Sequence, residues 1–133
     1  GAVARASRSS DFGGYLDIVS DFIFYSAIPL AFAVARPETA LAAAFLIFSF
    51  IGTATSFLGF AILAEKHQVT TQIRGKKAFY YLGGLTEGTE TILLLLAMLV
   101  WPDYFSLMAI IFGILCWVTT STRIYAAYRQ FND

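Results

Sequence analysis

Asp17 and Asp21 stand four residues apart in GGYLDIVSDFIFYS, residues 13–26, where an unbroken apolar run from Phe22 to Ala35 begins. On a helix, positions four apart lie nearly above one another, so Gly13, Asp17, Asp21 and Tyr25 fall on one slowly drifting stripe. Two carboxylates facing the same way in a low-dielectric setting repel, and one of them would keep its proton. A divalent cation removes the conflict, because hard ions such as magnesium, manganese or calcium take carboxylate oxygens and leave positions for water and phosphate oxygens. A solvated helix start whose acids complement the helix dipole accounts for Asp17 equally well. It accounts less well for Asp21, which adjoins the oily run.

A second pair of acids, Glu87 and Glu90, enters the apolar stretch YYLGGLTEGTETILLLL. Counting the helical rise from Lys77 puts Glu87 about 15 Å along its helix, a depth similar to that of Asp21 counted from Asp11. The acidic groups then share one level and could line a water-filled cavity. For Glu87, orienting a substrate by hydrogen bonding is a better reading than direct metal ligation. Arg123, in TTSTRIYAAYR, either snorkels to the surface or points into the cavity and holds a phosphate through its planar fork. Lys66, His67, Arg74, Lys76 and Lys77 have membrane topology as a sufficient explanation.

The elements that must position these residues follow from composition. The 133 residues are 58% hydrophobic, 17% aromatic and only 14% charged, with nine basic and nine acidic side chains and one cysteine. With a mean hydropathy of +0.68, this is an all-α polytopic membrane helix bundle rather than a soluble domain. A neutral chain offers no nucleic-acid footprint, and the lone Cys116 excludes an internal disulfide and any cysteine-based metal cluster. Membrane-length windows fall near residues 16–35, 39–64, 79–101 and 104–125, giving one partial membrane domain over 1–133. Because the apolar run in the first window is too short to span alone, the polar turns before it must belong to the same helix. Pro37 in ARPET and Pro102 in WPDY mark sharp turns, with Trp101 and Tyr104 as interfacial anchors. Basic residues gather before the first span, in the 65–78 loop and after the last, which places the amino end, that loop and the carboxyl end in the cytoplasm. A bacterial inner membrane is the expected setting.

The segments GAVAR and FGGYLDIVSD together resemble the signature of the CDP-alcohol phosphatidyltransferases, which runs Asp-x-x-Asp-Gly-x-x-Ala-Arg, a short spacer, then Gly-x-x-x-Asp-x-x-x-Asp. Gly1, Ala4 and Arg5 match the middle of that pattern; Gly13, Asp17 and Asp21 match its end, with seven residues between Arg5 and Gly13. The resemblance implies a six-helix membrane fold, of which the four spans are the third to sixth. It implies a CDP-linked donor, CDP-diacylglycerol, whose phosphatidyl group passes to a small alcohol with release of CMP. It also implies two divalent ions, Mg2+ or Mn2+, held by signature aspartates, and a homodimer. Asp17 would be a metal ligand, and Asp21 both a metal ligand and the general base. Gly1, Ala4, Arg5 and Gly13 would lie along the nucleotide, with Glu87 and Arg123 available to orient substrate.

The first two aspartates of the signature would precede Gly1, so the 133-residue polypeptide alone is expected to be inactive or severely impaired. Neither a Ser-His-Asp set nor a Cys-His set competes, and the Gly83-Gly84 and Gly88 cluster lacks the Gly-Lys-Ser/Thr ending of a phosphate loop. Two other classes stay open from the residues alone. One is an inactive membrane remnant serving as an interaction module. The other is an ion or solute pathway lined by Asp17, Asp21 and Glu87.

Overall fold

A computed structural model describes residues 11–67 and 88–132. Within them the chain forms four α-helices: α1 (Asp11–Ala35), α2 (Ala40–Lys66), α3 (Gly88–Val100) and α4 (Phe105–Phe131). No strand occurs among the described residues. The helices α1, α2 and α4 are long and apolar enough to cross a membrane, and α3 adds a shorter apolar helix of 13 residues. The molecule is an all-α membrane helix bundle.

The two proline turns are built alike. Arg36 and Trp101, each preceding a proline, leave the helical region at φ −132°, ψ 84° and φ −122°, ψ 70°. The proline ring crowds the residue before it out of the α conformation, which stops α1 and α3 at those points. Each proline then opens a short 3-10 turn, Pro37–Thr39 or Pro102–Tyr104, where its missing N–H costs nothing. Thr39 closes the end of α1 by donating from Oγ1 to the carbonyls of Arg36 at 2.7 Å and Phe32 at 3.1 Å. Arg36 Nη1 meets Asp103 Oδ1 at 3.0 Å, joining the two turns at one end of the bundle. At the other end Phe60 of α2 and His67 face the ring of Phe131 of α4, with ring centroids 5.3 and 5.1 Å apart.

The core runs between these ends. Phe32 stacks on Phe105 at 4.1 Å, and the rings of Tyr25, Phe50 and Phe112 continue inward at 6.2 and 6.3 Å. Leu46, Met98, Phe105, Ala109 and Cys116 are fully enclosed. The seam between α2 and α4 is close because glycines sit in it. A Cβ on Gly52 would come within 3.0 Å of Trp117 and of Thr120 Oγ1, and one on Gly113 would collide with the Phe45 ring. Small residues of this kind let backbones approach where lipid supplies no hydrophobic drive between helices.

Hydroxyls in the long helices, buried ones such as Ser49 and Thr120 and outward-facing ones such as Thr55 and Thr122, bond to their own helix. Ser49 donates to the Phe45 carbonyl at 2.7 Å, Thr120 to Cys116 at 2.8 Å, Thr55 to Ile51 at 2.8 Å and Thr122 to Val118 at 2.6 Å. This is how Ser and Thr are carried in an apolar medium without orphaned donors. Large apolar side chains such as Leu41, Val34, Ile62 and Leu107 cover the outer faces, as a lipid-facing surface requires.

Candidate functional site

The polar first turns of α1 are continuous with its apolar run, so Gly13, Asp17, Asp21 and Tyr25 lie on one helix face. Asp17 and Asp21 are exposed, whereas Tyr25, one turn further along, is 6% exposed. The stripe therefore starts in the open and runs into the bundle. Among the described residues neither aspartate has an ion-pair partner. The donors are hard carboxylate oxygens one turn apart, which suits a hard divalent ion. No cluster of three or more metal-ligating side chains forms among the described residues, so this pair would be part of a ligand set and not the whole of it. Gly13 is half-buried on the same face. Gly1, Ala4, Arg5 and Glu87 lie outside the described residues. Glu90 is exposed in the first turn of α3.

Beside the acidic stripe, a groove of about 670 Å³ runs between α1 and α2, walled by Ile18, Phe22, Ala27, Leu30, Ile47 and Leu58. Its lining is almost wholly hydrocarbon, with Ser26 its polar member. Ile18 and Phe22 directly follow Asp17 and Asp21 in sequence, so the apolar trough begins alongside the carboxylates.

Arg123 does not snorkel: it is 4% exposed, inside the seam between α4 and α2. Its Nη1 donates to the Thr53 carbonyl at 2.9 Å and to Ser56 Oγ at 3.5 Å, and its guanidinium lies 5.7 Å from the centre of the Phe57 ring. The same side chain walls a hollow of about 240 Å³ with Ser56, Gly59, Phe60 and Leu63. These contacts all reach α2, so Arg123 ties two helices together. Replacing it with leucine is expected to destabilise the bundle by about 1 kcal/mol, the usual size of one polar tie between membrane helices. Denaturation of the variant in detergent micelles measures this, and an unchanged midpoint would remove the structural role.

Sequence reasoning missed the α2 partners of Arg123. Ser49, Gly52, Thr53 and Ser56 recur at intervals of three and four along α2, and that small and polar spacing was the available signal. It also gave Tyr25 a place on the stripe without a role.

The fold and site thus define a membrane helix bundle with an exposed carboxylate pair at the mouth of one helix. Over 134 aligned residues that take in the whole chain, the sequence is 54% identical to inner membrane protein YnjF of Escherichia coli (strain K12). The chain spans 65% of that relative's length. No family model and no solved structure matches the chain.

Proposed function

We propose that the chain is part of a CDP-alcohol phosphatidyltransferase, an integral-membrane enzyme that moves a phosphatidyl group from CDP-diacylglycerol to a small alcohol, releasing CMP. The observation that carries this reading is the stripe of Gly13, Asp17 and Asp21 at the signature spacing, exposed as far as Asp21 and closed by buried Tyr25. The neighbouring groove between α1 and α2 supports it, since an almost wholly hydrocarbon trough beside the carboxylates suits an acyl chain of the donor.

In this reading Asp21 accepts the proton of the acceptor hydroxyl, for which it must stand within about 3 Å of that oxygen. The oxygen bonds to the phosphorus that carries the diacylglycerol, and the bond from that phosphorus to the CMP oxygen breaks. The proton on Asp21 passes to the solvent at the open end of the stripe. Asp17 and Asp21 would hold two Mg2+ or Mn2+ ions together with ligands beyond the described residues. Such ions neutralise the diphosphate and stabilise the departing CMP. Gly1, Ala4, Arg5 and Gly13 would follow the nucleotide, and Glu87 and Arg123 would help orient the substrate. Two copies would pair in a bacterial inner membrane, with the amino end, the 65–78 loop and the carboxyl end on the cytoplasmic side.

CMP release tests the reading directly. The chain, and a form extended to the full length of its relative, are incubated in micelles with CDP-diacylglycerol, magnesium or manganese, and a panel of alcohols that includes glycerol phosphate, inositol phosphate and serine. The extended form is expected to release CMP with one acceptor and the short chain to release little. Silence of the extended form with every acceptor overturns the assignment. Robust turnover by the short chain overturns its expected impairment.

A further inference from the structure

The residue that closes the acidic stripe is held more firmly than a membrane-facing tyrosine needs to be. The Tyr25 ring packs edge-on against Phe22 at 5.8 Å and tilted against Phe50 at 6.2 Å, which fixes the direction of its hydroxyl. That hydroxyl points at the first residue of α3: a Cβ added to Gly88 would lie 3.1 Å from Tyr25 Oη. Nine in ten real Cβ contacts are looser than that, so an alanine there must displace the hydroxyl or the start of α3. Asp21 stands one turn back from Tyr25 on the same helix face. Here α1, α2 and α3 converge on a tyrosine hydroxyl one helical turn beyond a carboxylate on the same stripe.

We propose that Tyr25 sets specificity at this site, its hydroxyl forming the hydrogen-bonding floor on which the acceptor alcohol rests beside Asp21. Gly88 is what leaves the hydroxyl in place. The proposal rests on the transferase reading for the identity of the ligand, while the lodging of the hydroxyl against Gly88 does not. Tyr25→Phe keeps the ring packing with Phe22 and Phe50 and removes one polar atom. Gly88→Ala keeps that atom and moves it. Both changes therefore act on one group, and their effects should not accumulate.

The test is a double-mutant cycle in the extended form, read as CMP release with the alcohol and CDP-diacylglycerol varied separately. Tyr25→Phe is expected to raise the KM for the alcohol about tenfold while kcat and the KM for the donor stay within about twofold, the pattern for loss of a hydrogen bond to one substrate. Gly88→Ala should give a similar rise, and the double variant should be no worse than Tyr25→Phe alone. Gly14→Ala, where an added Cβ meets nothing within 4 Å, serves as the control. Melting temperatures of the four proteins separate this from general loosening, which would raise both KM values together. Turnover in which the two KM increases multiply, or in which Tyr25→Phe leaves the alcohol KM unchanged, overturns the role of Tyr25 and leaves the transferase reading standing. An extended form without turnover overturns that reading and the role with it.

Discussion

Asp21→Asn in the extended form is expected to lower CMP release by about a thousandfold, within the range lost when a positioned general base is removed. Asparagine has the shape of aspartate without its charge or its affinity for a proton, so the substitution takes away both tasks assigned to the carboxylate and leaves the helix intact. Asp21 is exposed and has no ion-pair partner among the described residues, so no folding interaction disappears with its charge. The melting temperature should accordingly stay within a degree or two of the parent, about what a substitution far from any buried feature produces. Asp17→Asn separates the two tasks. With ligation as its only role, its loss should be partly recovered at raised magnesium or manganese, whereas Asp21→Asn should recover little. Equal recovery of both variants by metal would show that Asp21 is not the base.

Gly113→Leu is expected to cost about 3 kcal/mol, near the top of the range for overpacking a close-packed interior. An added Cβ would already collide with the Phe45 ring and stand 2.9 Å from Ser49 Oγ, and leucine brings three more carbons into that space. Phe45 and Ser49 both belong to α2, so relief requires α2 and α4 to separate. Separation would also stretch the bond from Arg123 to the Thr53 carbonyl one register further along the seam. Gly59→Ala on α2 meets nothing within 4 Å and should be neutral or slightly stabilising, because alanine is the better helix former. Denaturation of both variants in micelles measures the contrast. A Gly113→Leu protein as stable as the parent would mean that the seam is looser than described.

Much of the bundle was legible because hydropathy and proline act locally. The short apolar run from Phe22 to Ala35 demanded help from the turns before it, and α1 does take in those turns from Asp11 on. Pro37 and Pro102 announced the two turns because a proline constrains its predecessor whatever the tertiary setting. That Arg36 of one turn meets Asp103 of the other was not legible, since it depends on how two hairpins lean together. Arg123 shows the same limit. Its distance from the helix end left both the surface and an internal cavity within reach, and only the rotation of α4 against α2 decides that it faces Thr53. The acidic stripe was legible as a stripe, because four-residue spacing survives in any helix. Its change from exposed Asp21 to buried Tyr25 was not, because that is set by where α3 and Phe50 arrive.

The self-contained hydroxyls and the cross-helix Arg123 bear on the order in which the chain enters lipid. Ser49, Thr55, Thr120 and Thr122 each satisfy their donor within their own helix, so these hydroxyls ask nothing of a neighbour during insertion. Arg123 is different, because its Nη1 spends a hydrogen bond on α2. Synthesis proceeds from the amino end, so the Thr53 carbonyl is already in the membrane when the ribosome delivers α4. A circular permutant that makes α4 first would expose the guanidinium to hydrocarbon before its acceptor existed, and poor insertion of that permutant would be the cost.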